Sequence, residues 1–248
     1  MKKIVLVFVA VCITVSGFAQ KTADIGIWGG SSGYFGDLDE TTPFHSFNLN
    51  LGGYFRYNFN SRVALRVMVL SGGFSNEGVI EGKDWSFDKS VQDLSLQIEI
   101  NYLKYILGVK NTPYTSYVMA GFGVAYYPYD LDPADMTWFD PLNPGYTHNK
   151  GTSVIKESVI TNTIPFGIGF KYTLGKRLGM GIEYQMRKMF MDKLDNLDDP
   201  LAFIDNEGNE VTYTDQMHNN DWSAYLGIHV TYKIYIGKRA CPAYESKE

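Results

Sequence analysis

Apolar and polar residues alternate from Ser46 to Phe59, with Phe47, Leu49, Leu51, Gly53, Phe55, Tyr57 and Phe59 on one face and Asn48, Asn50, Gly52, Tyr54, Arg56 and Asn58 on the other. A period of two marks a strand with one apolar face, and here it outlasts an ordinary strand. After the short turn Asn58 to Arg62, Val63, Leu65, Val67 and Val69 alternate with Ala64, Arg66, Met68 and Leu70, which predicts a hairpin. The contrast is sharpest where Leu94, Leu96, Ile98, Ile100 and Tyr102 interleave with Asp93, Ser95, Gln97, Glu99 and Asn101. Four more segments follow the same rule: Ile25 and Ile27 in the first strand, Val118 to Tyr126 in the fifth, Ile164 to Tyr172 in the sixth, and Met180 to Met186 in the seventh. Trp222 to Ile234 completes a set of eight.

The connections alternate as well. Those after strands two and six are short and Leu103 to Thr115 is moderate, whereas those after strands three, five and seven are long. That asymmetry belongs to outer-membrane barrels, with short periplasmic turns and long outer loops, and an even strand number returns the C-terminus to the periplasm. A secreted lipocalin-like barrel would also alternate. Two features favour the membrane form: Tyr57, Tyr102, Tyr172 and Tyr232 fall near the ends of strands two, four, six and eight on the apolar face, where an interfacial girdle belongs. Glycine also recurs on the polar face, from Gly26 and Gly52 to Gly181 and Gly227, as the crowded inside of a small barrel requires, with Gly29 and Gly53 as exceptions. The expected fold is therefore all-β: an eight-stranded antiparallel up-and-down transmembrane β-barrel.

The N-terminus fixes the expected compartment. Lys2 and Lys3 precede the apolar run Ile4 to Val15, and Gly17-Phe18-Ala19 offers small residues before Gln20, so residues 1–19 read as a secretory signal peptide. Cys12 does not make this a lipoprotein signal, because Val11 stands where a small residue is wanted and the apolar run continues past it. The barrel then spans 20–234, and 235–248 forms a periplasmic tail. No later apolar run approaches the roughly 18 residues of a membrane-spanning helix. The formal net charge is −5, and loss of the leader removes two lysines, so no nucleic acid is expected as a partner. Of the two cysteines only Cys241 survives cleavage, which leaves it without an internal disulfide partner. A possible intermolecular disulfide there, with Pro242 and Tyr244 anchoring the tail on a periplasmic partner, is the one partner-binding site nominated.

Arg56, Arg66, Asp93, Glu99, Lys171, Glu183, Arg187 and His229, with Lys233, fall on the polar face, where acids and bases would meet inside the barrel. Unpaired charges in so narrow a space are costly, so a mutually paired, plugged lumen is expected rather than a conducting pore or a catalytic pair. His45, His148 and His218 lie in outer loops, but none has a serine in a strand-end arrangement that would fix a nucleophile and base. The acids from Asp192 to Glu210 lack the ordered spacing of a calcium loop and read as a solvated acidic loop. No catalytic, cofactor or metal residues are nominated. The aromatic loop Tyr127 to Thr147 could fold over the barrel mouth or meet another protein.

Ala23-Asp24-Ile25-Gly26-Ile27-Trp28-Gly29-Gly30, Gly33-Tyr34-Phe35-Gly36-Asp37, Arg56-Tyr57-Asn58 with Ala64-Leu65-Arg66, Thr112-Pro113-Tyr114, Leu197-Asp198-Asp199, His218-Asn219-Asn220-Asp221-Trp222 and Cys241-Pro242-Ala243-Tyr244 together carry a family resemblance. The chain resembles PorG-like outer-membrane β-barrels of the type IX secretion machinery. That resemblance implies a non-enzymatic component that organises a periplasmic ring of a PorK-like lipoprotein and its PorN-like associate at the outer membrane, in contact with outer-membrane lipid. The alternative is a generic small outer-membrane barrel acting as adhesin or membrane stabiliser. A lipid-modifying enzyme is a third class.

Overall fold

The computed structural model describes residues 22–35, 48–80, 83–108, 112–131, 155–191, 194, 203–204, 210–211 and 222–236. Among the described residues ten strands follow in chain order: β1 (Thr22–Phe35), β2 (Asn48–Asn58), β3 (Val63–Ile80), β4 (Lys83–Asn101), β5 (Tyr114–Leu131), β6 (Ile155–Thr173), β7 (Leu178–Met189), the short β8 (Phe203–Ile204) and β9 (Glu210–Val211), and β10 (Trp222–Tyr235). Eight of them close a barrel in the order β1-β10-β7-β6-β5-β4-β3-β2, and β8 pairs with β9 apart from it. Every neighbouring pair in the barrel is antiparallel, including the closing pair, which runs from Thr22↔Tyr235 to Phe35↔Trp222. Closure removes the free sheet edge along the membrane-spanning region, which is what lets strands cross a bilayer at all.

The two faces sort as the alternation requires. Leu51, Val69, Ile98, Val118, Ile168, Ile182 and Ile228 stand on the outer wall, while Arg66, Gln97, Glu99, Gln185 and Arg187 are fully buried inside. A soluble barrel would invert this arrangement, so the outer wall is a surface for lipid. Tyr102, Tyr172 and Tyr232 are exposed on that wall at one end, Tyr114 stacks on Phe170 beside them (5.9 Å between centroids), and Arg177 donates to the Tyr232 hydroxyl at 3.2 Å. Aromatic rings with a cation at their polar edge are what a membrane interface selects.

Three expectations about strand extent change. β3 and β4 pair all the way to Ile80↔Lys83, so the connection expected to be long reduces to residues 81–82. β5 and β6 likewise pair out to Leu131↔Ile155. A strand needs about 9–11 residues to cross a bilayer, and β3 to β6 hold 18 or 19, so both hairpins project beyond the lipid at the long-loop end. The alternation fades there because no lipid lies against either face. Thirdly, β1 runs to Phe35 and β10 includes Tyr235, one residue into the segment assigned to the tail. The leader, the tail from residue 237 onward with Cys241, Pro242 and Tyr244, most of the acidic loop, and His45, His148 and His218 lie outside the described residues.

Candidate functional site

The lumen is where the chain concentrates its chemistry, because charged side chains from six barrel strands meet there in one layer. β1 contributes Asp24, β2 Arg56, β3 Arg66, β4 Glu99, β6 Lys171 and β7 Glu183, all buried. Arg56 reaches Asp24 at 3.0 Å and Glu99 at 3.3 Å; Arg66 reaches Glu99 at 3.1 Å and Glu183 at 2.6 Å; Lys171 reaches Glu99 at 2.5 Å. Three cations thus face three carboxylates, and Glu99 touches all three cations. Nearer the long-loop end Arg187 pairs with Asp93 at 2.7 Å. The eight lumen residues nominated from sequence are all placed in this interior, His229 on its flank. Low dielectric makes each contact strong and each missing contact expensive, so the arrangement holds only because the charges match.

Neutral groups complete the layer. Gln97 accepts from the Arg66 guanidinium, Gln185 donates to Glu183, and the Tyr117 hydroxyl donates to Glu183. The Tyr54 hydroxyl lies 3.0 Å from His229 Nδ1 and 2.5 Å from Thr231 Oγ1, and its ring sits 5.6 Å from the Arg56 guanidinium. Lys171 is 4.1 Å from the centre of the Tyr117 ring, a cation–π approach. Glycines make room for these rings. A Cβ on Gly26 would strike Tyr54, one on Gly169 would strike Tyr117, and one on Gly181 would strike His229.

The lumen is stopped on both sides of the charged layer. Toward the long-loop end Trp28, Phe74, Tyr127, Tyr129 and Tyr225 form a buried aromatic cluster with Met68 and Leu70. Toward the short-turn end the β4–β5 connection folds under the barrel and buries Tyr105 and Leu107. Thr173 donates to the Tyr105 hydroxyl at 3.0 Å, and Lys233 donates to the Leu107 carbonyl at 2.7 Å. Burial pushes the Tyr105 phenol above its ordinary pKa. Gly108 turns this segment with φ of +88°, a conformation that favours glycine, and a Cβ there would meet the Lys176 carbonyl.

Alternation with Ile25 and Ile27 puts Asp24 on the inner face, as it does Tyr54, but does not join either to the charge network, and Tyr117, Tyr105 and Leu107 are not nominated from sequence. Tyr117 continues the inward parity of Met119, a signal that extending the fifth strand by one residue would have caught. Nothing in local sequence marks Tyr105 and Leu107, since a turn that folds back into a lumen has no period. Among the described residues no group of three or more His, Cys, Asp or Glu could hold a metal ion.

A family model described as a domain of unknown function, DUF6089, matches residues 2–245. The chain belongs to DUF6089. No curated protein matches it. In shape this DUF6089 chain is similar to Ail, the attachment invasion locus protein of Yersinia pestis, solved with the heparin analogue sucrose octasulfate (TM-score 0.45, 10% identity, covering 87% of this chain and 100% of that one). It is similar also to a major outer membrane protein from Thermus thermophilus (TM-score 0.47, 13% identity, 87% and 100%) and to Neisserial surface protein A (TM-score 0.45, 10% identity, 87% and 98%).

Proposed function

We propose that the protein is a non-conducting, non-enzymatic outer-membrane barrel whose work is done on its ends and its outer wall, as a membrane stabiliser or an adhesin-like platform. The observation that carries this reading is the filled lumen: a turn plug, a matched charge layer and an aromatic cluster lie one above another along the axis. A pore needs a continuous wet path, and a catalytic pair needs access for substrate. The projecting β3–β4 and β5–β6 hairpins extend paired strands beyond the lipid, where they can contact other molecules. With the N-terminus in the periplasm, these hairpins stand outside the cell and the short turns face inward. Purified protein in planar bilayers should give no stepwise ion conductance. Stable, reproducible steps from the wild type would overturn the non-conducting reading, and turnover of membrane lipid by the same preparation would overturn the non-enzymatic one.

A second reading is the secretion role implied by the PorG-like resemblance: anchoring of a PorK-like lipoprotein and PorN-like ring beneath the outer membrane. It is favoured by the compact face that the folded-under β4–β5 turn gives the short-turn end. Crosslinking intact membranes and recovering the tagged chain should bring ring lipoproteins with it. Recovery of the barrel without them leaves the first reading.

A further inference from the structure

The outer wall is not uniform. Along β5 the small residues Ser116 and Val118 face outward, between Ile100 and Tyr102 on one side and Ile168 and Phe170 on the other, and the wall sinks there into a groove of about 980 Å³ that continues over β7 to β10. Arg62 lines the same groove. Its Nη1 donates to the Tyr102 carbonyl at 2.6 Å, and the residue is exposed, which leaves other guanidinium donors open among the described residues. Lys104, two residues beyond Tyr102, is exposed on the neighbouring turn.

The charge around this end is one-sided. The described short turns carry Arg62, Lys104, Lys176 and Arg177 and no Asp or Glu. The connections at the opposite end are acidic in sequence, with Asp37, Asp39 and Glu40 before β2, Asp132, Asp135 and Asp140 between β5 and β6, and Asp192, Asp195, Asp198 and Asp199 after β7. An apolar depression with Arg62 in its lining, at the end of the barrel whose described turns are cationic, matches one kind of ligand. We propose that this groove is a binding site for an anionic phospholipid, its acyl chains lying over Ser116 and Val118 and its phosphate held by Arg62 with Lys104. The inference rests on the reading of the outer wall as lipid-facing. It goes further by giving the wall a selective position, in which a guanidinium can meet phosphate oxygens through two parallel hydrogen bonds.

The test uses the full chain in phosphatidylcholine vesicles with spin-labelled phosphatidylglycerol or spin-labelled phosphatidylcholine as the probe. A basic group near an anionic lipid surface is worth about 1 kcal/mol, or roughly fivefold in association, so the wild type should hold phosphatidylglycerol at least about fivefold more strongly. Arg62→Gln with Lys104→Gln should bring the preference close to parity. Val118→Trp, which fills the groove and leaves every charge in place, should also weaken the motionally restricted phosphatidylglycerol signal. Lys176→Gln with Arg177→Gln, on the β6–β7 turn, should lose much less. Equal loss from both pairs overturns the site in favour of a general cationic rim, and unchanged selectivity in the Arg62 and Lys104 variant overturns it outright. Heat-modifiable gel migration reports folding of each variant. A wild type that does not insert at all overturns the membrane reading beneath the proposal, whereas insertion with no lipid preference overturns the proposal alone.

Discussion

Glu99→Gln is the sharpest perturbation of the lumen, because one carboxylate serves three cations. The change keeps size, removes the charge and replaces one of two acceptor oxygens with a donor NH2 that can accept from none of these cations. Arg56 still has Asp24 at 3.0 Å, and Arg66 still has Glu183 at 2.6 Å. Lys171 keeps only the Asn101 Oδ1 at 3.1 Å and the face of Tyr117, with no second carboxylate in ion-pair range among the described residues. The cost therefore concentrates on a buried ammonium left without a counter-charge. Removing one partner of a buried pair costs about 3–5 kcal/mol, and the lower end applies here because Asn101 and the ring partly replace the lost contact.

If Lys171 carries the penalty, Glu99→Gln combined with Lys171→Met restores two cations against two carboxylates and should recover more than half of the loss. Urea titration in phosphatidylcholine vesicles, followed by heat-modifiable gel migration, measures both. The coupling between the two substitutions is the quantity that decides, since single losses mix charge with packing. A Glu99→Gln protein within about 0.5 kcal/mol of wild type, or a double variant no more stable than the single, would refute the account of the lumen as a charge-matched layer.

On the outer wall, Leu51→Arg or Ile98→Arg should cost about 2–4 kcal/mol if the side chain sits near mid-bilayer, read as lost folded yield; water-accessible cysteine labelling at position 51 in folded protein would put the register wrong. Asn50→Asp, although on the polar face, should also destabilise, because the Asn50 amide donates to Ser32 Oγ at 2.9 Å, the Asn48 carbonyl at 2.9 Å and the Gly73 carbonyl at 3.2 Å, and a carboxylate donates to none. Gly108→Ala should loosen the turn plug and raise protease cleavage within the β4–β5 connection, with no change if the plug is not held by that turn. The buried Tyr105 phenol, raised in the folded state, holds its contribution below the ordinary value of about 10 and loses it as pH climbs past that; stability should therefore fall above that pH, and Tyr105→Phe should flatten the fall. Cys241 should give a larger, reductant-sensitive species in native membranes that disappears in Cys241→Ser, and a monomer after rapid thiol trapping would dismiss the covalent link.

The membrane-crossing part of the fold was legible because lipid imposes its rule residue by residue. From Leu94 to Asn101 each side chain is either wholly outside or wholly inside, and the period of two follows. Above the bilayer that constraint ends, and with it the pattern: Ser71, Gly72, Gly73 and Phe74 continue β3 without any alternation that predicts a strand. Small outward residues hid in the same way. Ala224 is on the outer parity of β10 yet fully buried, so a small residue there does not mark the lipid-facing side as Leu226 and Ile228 do. For the lumen, sequence supplied which charges share a face but not which pairs meet. Arg66 and Glu183 are 117 positions apart, and only barrel closure brings them together.

The same closure explains why function should be sought away from the axis. A lumen of this width could stay open only if its inward side chains were small or hydrated, yet Arg56, Arg66, Arg187, Trp28, Tyr117 and Tyr225 are among the largest buried side chains of the described residues. Glycines at Gly26, Gly169 and Gly181 do not widen the channel. Their missing side chains are occupied by Tyr54, Tyr117 and His229. Each glycine is thus a place where a ring fits, and enlarging any one of them should displace its ring into the charge layer. Gly169→Ala is the cleanest case: its Cβ would meet the ring of Tyr117, whose hydroxyl donates to Glu183 and whose face lies against Lys171. The expected loss is about 1–3 kcal/mol from overpacking, and Gly169→Ala with Tyr117→Phe should not restore it, because the ring remains. Tyr117→Leu should relieve the clash instead. Relief by phenylalanine would mean that the hydroxyl, not the ring, fills the space the glycine provides.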